Sequence, residues 1–494
     1  MSGAPGEQSG TVSEAGVNQG RGDVAVVGGG LAGIAAAVAL ADRGWRVTLL
    51  ESRPRLGGAA YSFDRSGLTV DTGVHVVLRC YTGYRTLLAR MGVADLVPPQ
   101  PRMSITVMRP HAPPTRLTRG RLGPPPAHLL PALAGYRELS ARERVAAARA
   151  ALAMRRLDPD DPALDRIGFG DWLSRHGQNH HVTESLWGLL CVAALNIDPA
   201  QASTALMARV LRTGLLESVR AGDIAVPAVP LSELHDGPAR RLLARLGVAV
   251  RTGARVTAVQ RTAGGYRVAA SGGDLPVDAV VVAVPHPRAA QLVPEEAVPD
   301  RQGWAGLGSS PIVNVHLHLD RPVTGDALPP GGFAAVLGSP LQWVFDRTSA
   351  ARTTGQYLVS SVSAADPAIG RPAADLLAVA RRELGTLFPA AEHAALLDGF
   401  VTREPNATFR QRAGSGALRP AAATRWPGLA LAGAWTATGL PDTLEGAVRS
   451  GQLAAQALDN DHHDDRHAPK TPTGAARWLE SCPMPDTPAE VMVR

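Results

Sequence analysis

The sequence predicts an α/β protein that opens on a parallel βαβ unit, and three observations carry that expectation. A β-branched run (Val24, Val26, Val27) leads into Gly28-x-Gly30-x-x-Gly33. An alanine- and leucine-rich stretch follows, breaks at Asp42-Arg43-Gly44, and gives way to a second strand at Val47, Leu49 and Leu50. That strand ends in Glu51, 18 residues past Gly33. Each part has a physical task. Gly28 permits the tight turn, Gly30 lets the backbone approach a pyrophosphate, and Gly33 lets helix and strand pack closely. The helix N-terminus, at Leu31 and Ala32, offers N–H groups and a positive dipole end to phosphates. A carboxylate placed like Glu51 accepts hydrogen bonds from an adenosine ribose. The reading is a Rossmann-like dinucleotide site made of Gly28, Gly29, Gly30, Leu31, Ala32, Gly33, Glu51 and the adjoining Ser52. The rival is a membrane anchor, because residues 24–41 form an uncharged run of 18, the lower edge of spanning length. Three consecutive glycines and the Asp42-Arg43-Gly44 turn argue against it.

Arg55-Leu56-Gly57-Gly58 comes next, and its glycine pair would let the chain pass close to a cofactor's phosphates. Here the chain resembles the flavin amine oxidase and phytoene desaturase superfamily, whose dinucleotide fold continues into an Arg-x-Gly-Gly-Arg segment. The resemblance implies FAD, held non-covalently, rather than NAD, with Arg55, Gly57, Gly58 and Ala59 beside it. Ala59 departs from the pattern, since arginine is usual there. One cation near the phosphates or the flavin is therefore missing.

With 494 residues the chain has room for two or three domains. The net charge is +6, yet Lys470 is the only lysine, so arginine spread along the chain supplies the basicity. Coding bias explains this best, an anionic membrane surface second; no nucleic-acid motif accompanies it. Cys80, Cys191 and Cys482 lack CxxC spacing, which argues against a disulfide framework or a zinc site and suits a reducing compartment. The first residues show no secretory pattern. The expected location is cytoplasmic, with peripheral contact on the inner membrane face left open.

The superfamily resemblance implies an FAD-binding domain interleaved with an α+β substrate-binding domain. The FAD-binding segments are 22–100, 222–290 and 425–458; the substrate-binding segments are 101–221, which reads as helical, and 291–424. Residues 1–21 and 459–494 read as disordered tails. Local patterns fit the FAD segments. They comprise a strand at Leu68–Asp71, a helix led by Pro230-Leu231-Ser232-Glu233, and a strand at Arg255–Val259. The run Val280–Val284, stopped by Pro285, suits a strand buried on both faces. Leu429–Gly433 and a helix from Glu445 to Ala457 complete the set. The tract His462-His463-Asp464-Asp465-Arg466-His467 reads as solvated tail rather than metal site.

Longer strings narrow the resemblance. Asp71-x-Gly73-x-His75, Cys80-Tyr81-Thr82, Ala194-Leu195-Asn196 with Ala202-Ser203, Arg403 to Phe409, and Leu431 to Gly451 are similar to the hydroxysqualene dehydroxylases. This implies reductive dehydroxylation of hydroxysqualene to squalene, with a long apolar channel for a long isoprenoid substrate. Electrons would come from NAD(P)H, directly or through a partner reductase, since no second GxGxxG between strand and helix is present. Upstream squalene-pathway enzymes are further expected partners. The resemblance also implies that Val256 pairs its backbone with adenine. It places Gly433 and Ala434 along the cofactor, Ala434 standing where many members have aspartate. Glu445, Gly446 and Ala447 would then open a helix aimed at the flavin or its pyrophosphate.

Hydroxide is a poor leaving group, so an acid must assist it. His75 is the first candidate, because its segment by resemblance passes the isoalloxazine ring and histidine titrates near neutral pH; a structural histidine is the competing reading. Asp71 reads as a buried carboxylate capping the Gly73 turn, and Glu404 as a surface salt-bridge partner. Asn314, His316 and His318 alternate with apolar residues, which favours a half-exposed strand over a cavity wall. Ser140-x-x-Glu143 forms a capping box. Beyond it Arg142, Arg149 and Arg156 recur every seven residues as a basic stripe, suited either to anionic lipid or to an ordinary exposed helix face. Two other functions compete: a carotenoid-type desaturase, in which hydride flows the other way, and a non-catalytic lipid carrier on the same fold.

Overall fold

The computed structural model of the chain describes residues 21–329 and 331–464. The β-branched run forms β1 (Asp23–Val27), the alanine-rich stretch α1 (Leu31–Asp42), and the following run β2 (Arg46–Glu51). β1 and β2 pair in parallel, with Val26 opposite Leu49. Distant segments complete this five-stranded parallel sheet. Ala249–Thr252 lies beside β2, Ala279–Val282 lies on the other side of β1, and Leu429–Leu431 lies beyond that. Val24 and Val26 enter one core with α1, whereas Ala25 and Val27 enter another with Val280 and Val282. Burial on both faces explains why these strands are continuous apolar runs. The second core is closed by an antiparallel sheet of Val256–Thr262, Gly265–Ala270 and Gly273–Val277.

α1 is held at backbone distance on two sides. A Cβ on Gly33 would lie 1.8 Å from the Gly28 carbonyl oxygen, and one on Gly451 of the last helix, Leu444–Asp464, 2.1 Å from the Ala32 carbonyl oxygen. Only glycine fits either place.

A second, seven-stranded sheet runs in the order Leu396–Thr408, Ser310–Leu319, Gln356–Val362, Trp343–Asp346, Phe333–Val336, Ser104–Arg109, Ala112–Thr118. Neighbours are antiparallel except where Phe333–Val336 meets Ser104–Arg109. This corrects the expectation that 101–221 is helical throughout, since the segment opens with a hairpin. Pro113 and Pro114 are tolerated there because Ala112–Thr118 is an edge strand. Helices follow, including Ala141–Arg155 with the expected capping box: the Ser140 hydroxyl accepts from the Glu143 N–H, and the Glu143 carboxylate from the Ser140 N–H.

Three further expectations change. Asn314 and His316 are 0% and 1% exposed, so that strand is not half-exposed. Its polar face is buried because partners satisfy it: His316 bonds Tyr357 and Thr402 and stacks on Phe400. The C-terminal tail does not begin at Asp459, because the last helix continues to Asp464 and Asp459 pairs with Arg43 at 2.7 Å and with Arg21. Arg21 is likewise ordered by that pair and by its N–H bond to the Gly44 carbonyl. Residues 1–20 and 465–494, Cys482 among them, and the side chains of the His462–His467 tract lie outside the described residues. Among the described residues no helix is long and apolar enough to cross a membrane, and no His/Cys/Asp/Glu group is arranged to hold a metal.

The pinched contact generates a prediction. Gly451→Ala forces a methyl against the α1 backbone and should lower stability by about 1–3 kcal/mol, the usual cost of overpacking. Equilibrium urea unfolding measures it. An unchanged midpoint would mean that the two helices separate without penalty.

Candidate functional site

Gly28 turns the chain with φ +112°, and Gly30 is the N-cap of α1, with no side-chain cap beside it. By helix geometry the first-turn N–H groups of Leu31, Ala32 and Gly33 have no acceptor within the helix. Opposite them runs the second glycine pair. A Cβ on Gly58 would lie 2.9 Å from the Gly30 Cα, and Gly57 donates its N–H to the Gly29 carbonyl at 2.9 Å. Arg55 lies along this loop, donating to the Gly58 carbonyl at 2.9 Å while its guanidinium stacks on Tyr61. The result is a narrow cradle of main chain with one cation at its rim, and it fits a pyrophosphate. Ala59 is exposed, and its carbonyl accepts from Thr72.

Glu51 ends β2 as expected, 8% exposed, with its carboxylate taking N–H bonds from Gly29 at 2.6 Å and Arg53 at 2.7 Å. The carboxylate therefore also braces the first glycine turn. Ser52 is exposed and donates to Glu51. Val256 is buried, and its carbonyl accepts from Arg288. Gly433 has φ +139°, and a Cβ there would strike the Trp435 indole at 2.3 Å. The neighbouring Ala434 carbonyl accepts from Arg419.

The opening of the last helix differs from expectation. Thr443 caps it, its hydroxyl accepting from Gly446 at 3.1 Å and its carbonyl from Ala447 at 2.9 Å. The N–H groups of Gly446 and Ala447 are thus committed to the cap. The Glu445 side chain turns away to cap the neighbouring helix Thr82–Met91, accepting from Gly83 at 3.0 Å and Tyr84 at 2.7 Å and pairing with Arg449. Being an anion at a helix N-terminus, it is favoured there by the dipole. By helix geometry the donors left to face a ligand are the N–H groups of Leu444 and Glu445.

His75 follows the Asp71–Gly73 turn, with Nδ1 2.9 Å from the Gly73 carbonyl. A carbonyl only accepts, so Nδ1 carries the proton and Nε2 is the free acceptor in the neutral ring. Burial pulls its pKa below the ordinary histidine value, and the nearby Arg347 adds to this against the opposing pull of the Gly73 carbonyl and Asp71. Asp71 does not cap the Gly73 turn. It accepts from Ser62 and the Leu231 N–H and forms a buried ion pair with Arg347 at 3.0 Å. Glu404 makes no salt bridge among the described residues; burial raises its pKa, with Arg55 near enough to oppose the shift.

Sequence reasoning missed two groups. His235 is fully buried: Nδ1–H donates to the Ala60 carbonyl at 2.9 Å, and Nε2 accepts from the Tyr84 hydroxyl at 2.7 Å. Burial pushes its pKa to about 4, so it is neutral and buttresses the Gly57–Ala60 loop. Asp442, just before the last helix, accepts the Phe409 N–H, and burial pushes its carboxyl up to about 6. Nothing in the sequence joins His235 to Tyr84, 151 positions away.

The profile of the flavin containing amine oxidoreductase family matches residues 31–459. Hydroxysqualene dehydroxylase of Rhodopseudomonas palustris is 32% identical over 88% of this chain and 98% of its own length. The 15-cis-phytoene desaturase of an Oncidium hybrid cultivar is 29% identical over 89% of this chain and 78% of its own. Among solved structures, wild-type putrescine oxidase bound to putrescine superposes with a TM-score of 0.68, covering 89% of this chain and 99% of that one at 20% identity.

Two predictions follow from this geometry. A Cβ on Gly30 would meet only the Gly58 Cα, at 3.7 Å, so Gly30→Ala should fold as wild type yet fill the cradle. Flavin absorbance per mole of purified protein should fall while the melting curve of the flavin-free protein stays put; equal yellow colour would displace the pyrophosphate from this turn. The second concerns Asp442, whose carboxyl rises from 3.8 unfolded to about 6 folded. The folded protein holds a proton that the unfolded chain releases, so stability falls as pH rises through that window and the penalty is complete above it. Asp442→Asn removes the penalty. Its stability relative to wild type should grow between pH 4 and pH 7 by on the order of 1–3 kcal/mol. A difference independent of pH would refute the shift.

Proposed function

The chain belongs to the flavin containing amine oxidoreductase family and is an FAD-dependent oxidoreductase of the squalene and carotenoid desaturase group; on that premise we propose that it reductively dehydroxylates hydroxysqualene to squalene. The supporting observation is the similarity to hydroxysqualene dehydroxylases over nearly their whole length, 98% for the Rhodopseudomonas protein against 78% for the Oncidium desaturase. FAD, when bound and reduced, supplies hydride to the allylic carbon. The C–O bond breaks as the C–H bond forms, and one proton converts the departing hydroxide to water.

In this reading segments 22–100, 222–290 and 425–458 hold the cofactor, and 101–221 with 291–424 enclose the isoprenoid chain. Gly28 to Gly33, Gly57 and Gly58 bind the pyrophosphate through main chain, and Glu51 takes the ribose. His75 handles the proton. Its Nδ1–H is tied to Gly73, so any proton it delivers leaves from Nε2. Burial keeps the ring neutral at rest, and the imidazolium, once formed, is a stronger acid than ordinary histidine. NAD(P)H would reduce the flavin.

Anaerobic single turnover tests this. Reduced protein mixed with hydroxysqualene should yield squalene at the expense of flavin reduction. Conversion of phytoene by the oxidised protein, with hydroxysqualene inert, would establish the desaturase instead. The dehydroxylation rate should rise as pH falls below the ordinary histidine range, because the lowered pKa makes the imidazolium scarce above it. His75→Ala should keep FAD, lose about 10²–10⁴-fold in rate, the usual range for a general acid, and flatten that profile. A wild-type rate in the variant would make His75 structural.

A further inference from the structure

The Ala141–Arg155 helix buries Ala147, Ala150 and Met154 and turns another face outward. On that face Arg142, Arg149 and the C-cap Arg156 are exposed, as the heptad spacing requires. Exposed with them are two apolar residues, Val145 at 51% and Leu152 at 47%. At 100° per residue, positions 142, 145, 149, 152 and 156 fall within an arc of about 80°, so arginine and aliphatic side chains alternate along one narrow stripe. No carboxylate lies on it. Glu143 sits on a different side, occupied by Ser140, Asn179 and His181.

The stripe has neighbours of the same kind. The short helix Leu130–Gly135 packs on this one, and Leu130 at its start is 57% exposed. Leu122, 88% exposed, lies in the loop that precedes that short helix, and a Cβ on the nearby Gly120 would lie 3.1 Å from Pro131 of the helix and 3.4 Å from the Leu122 carbonyl oxygen. Four of the seven large apolar side chains exposed among the described residues therefore fall between positions 122 and 152. An aliphatic side chain left in water forfeits burial energy and needs a partner surface to recover it.

We propose that this face docks on a bilayer containing anionic phospholipid, with Leu122, Leu130, Val145 and Leu152 entering the headgroup–acyl boundary and Arg142, Arg149 and Arg156 pairing with lipid phosphates. The alternation selects this occupant. Arginine beside aliphatic residues matches an interface whose anions lie at the level where its hydrocarbon begins. A second copy of the same stripe would bring arginine against arginine without a carboxylate between them. The sequence already marks 118–156, with its apolar stretch Leu129, Leu130 and Leu133 and its basic stripe, as an element suited to anionic lipid; the exposure of Val145, Leu152, Leu122 and Leu130 adds the apolar side chains that can insert. The inference does not depend on the reaction proposed above, because it is read through binding alone.

The test is co-sedimentation of the full-length FAD-loaded protein with vesicles of phosphatidylcholine, with and without phosphatidylglycerol, over a salt series. Binding should require phosphatidylglycerol and weaken with salt. The triple variant R142Q/R149Q/R156Q should bind about a hundredfold more weakly, if each arginine contributes as basic residues near anionic membranes usually do. The double variant L122D/L152D should lose binding while keeping its flavin spectrum and melting temperature. Equal binding to both vesicle types, or either variant binding as wild type, would overturn the proposal. So would light scattering that shows a wild-type dimer dissociated by L152D, which would make the face a subunit interface.

Discussion

The position of α1 is the constraint from which the parallel-sheet half of the molecule follows. The helix touches the Gly28 carbonyl through Gly33 on one side and lies against Gly451 of the last helix on the other, at separations that admit no Cβ. Residues 28 and 451 are thereby fixed relative to one another through a single helix, and the parallel sheet, the glycine turn and the C-terminal helix become one rigid body. The pyrophosphate site proposed there, made of main-chain N–H groups, would have no side-chain slack to absorb misplacement. Its precision comes from this close packing, and the alanine content of α1 lets a helix approach other backbone so closely on two faces.

The junction with the second sheet relies on polar contacts. Arg347 reaches the carbonyls of Pro227 and Val229 and the carboxylate of Asp71, so one guanidinium joins three separate stretches of chain. Both charges are almost fully buried, and a buried pair in poor geometry would cost more than it returns. Here the remaining lone pairs of Asp71 are taken by Ser62 and the Leu231 N–H. The same junction carries His316 with Tyr357 and Thr402, and Asn314 with the Thr72 carbonyl. These groups surround the turn that presents His75. Burial at this junction is the main cause of the lowered His75 pKa, and Arg347 adds to it.

How much of this could be read from sequence depends on whether the interaction is local. β1, α1, β2, the Val280 run and the Ser140 capping box rest on contacts within a few residues or on periodicity, and their sequence patterns located them. The first hairpin of 101–221 escaped because prolines mark an edge strand only once the sheet's order is known. Burial of Asn314 and His316 was invisible because alternation shows that one face is polar, not whether partners will satisfy it. The motif alone points Gly446 and Ala447 at the cofactor. Thr443, three and four residues upstream, claims their N–H groups instead, and Thr-x-x-Gly is a cap signal the sequence did contain.

Two departures from the superfamily pattern can be weighed together. Ala59 and Ala434 stand where the superfamily commonly has a cation and an anion, so in the proposed reading the cofactor site would lack one charge of each sign. Near each place an arginine organises the main chain. Arg55 holds the Gly58 carbonyl and is itself steadied by the Tyr61 ring. Arg419, 8% exposed, donates to the carbonyls of Thr436 and Ala434 and lies over Phe409. Burying that guanidinium is costly, and desolvation pulls its pKa down to about 10, yet the arrangement fixes the 434–438 loop through its carbonyls. In the proposed reading both stretches would meet the cofactor through backbone geometry that an arginine holds. Conservative changes at Arg55 and Arg419 would then act on the cofactor at a distance, through the main chain they hold.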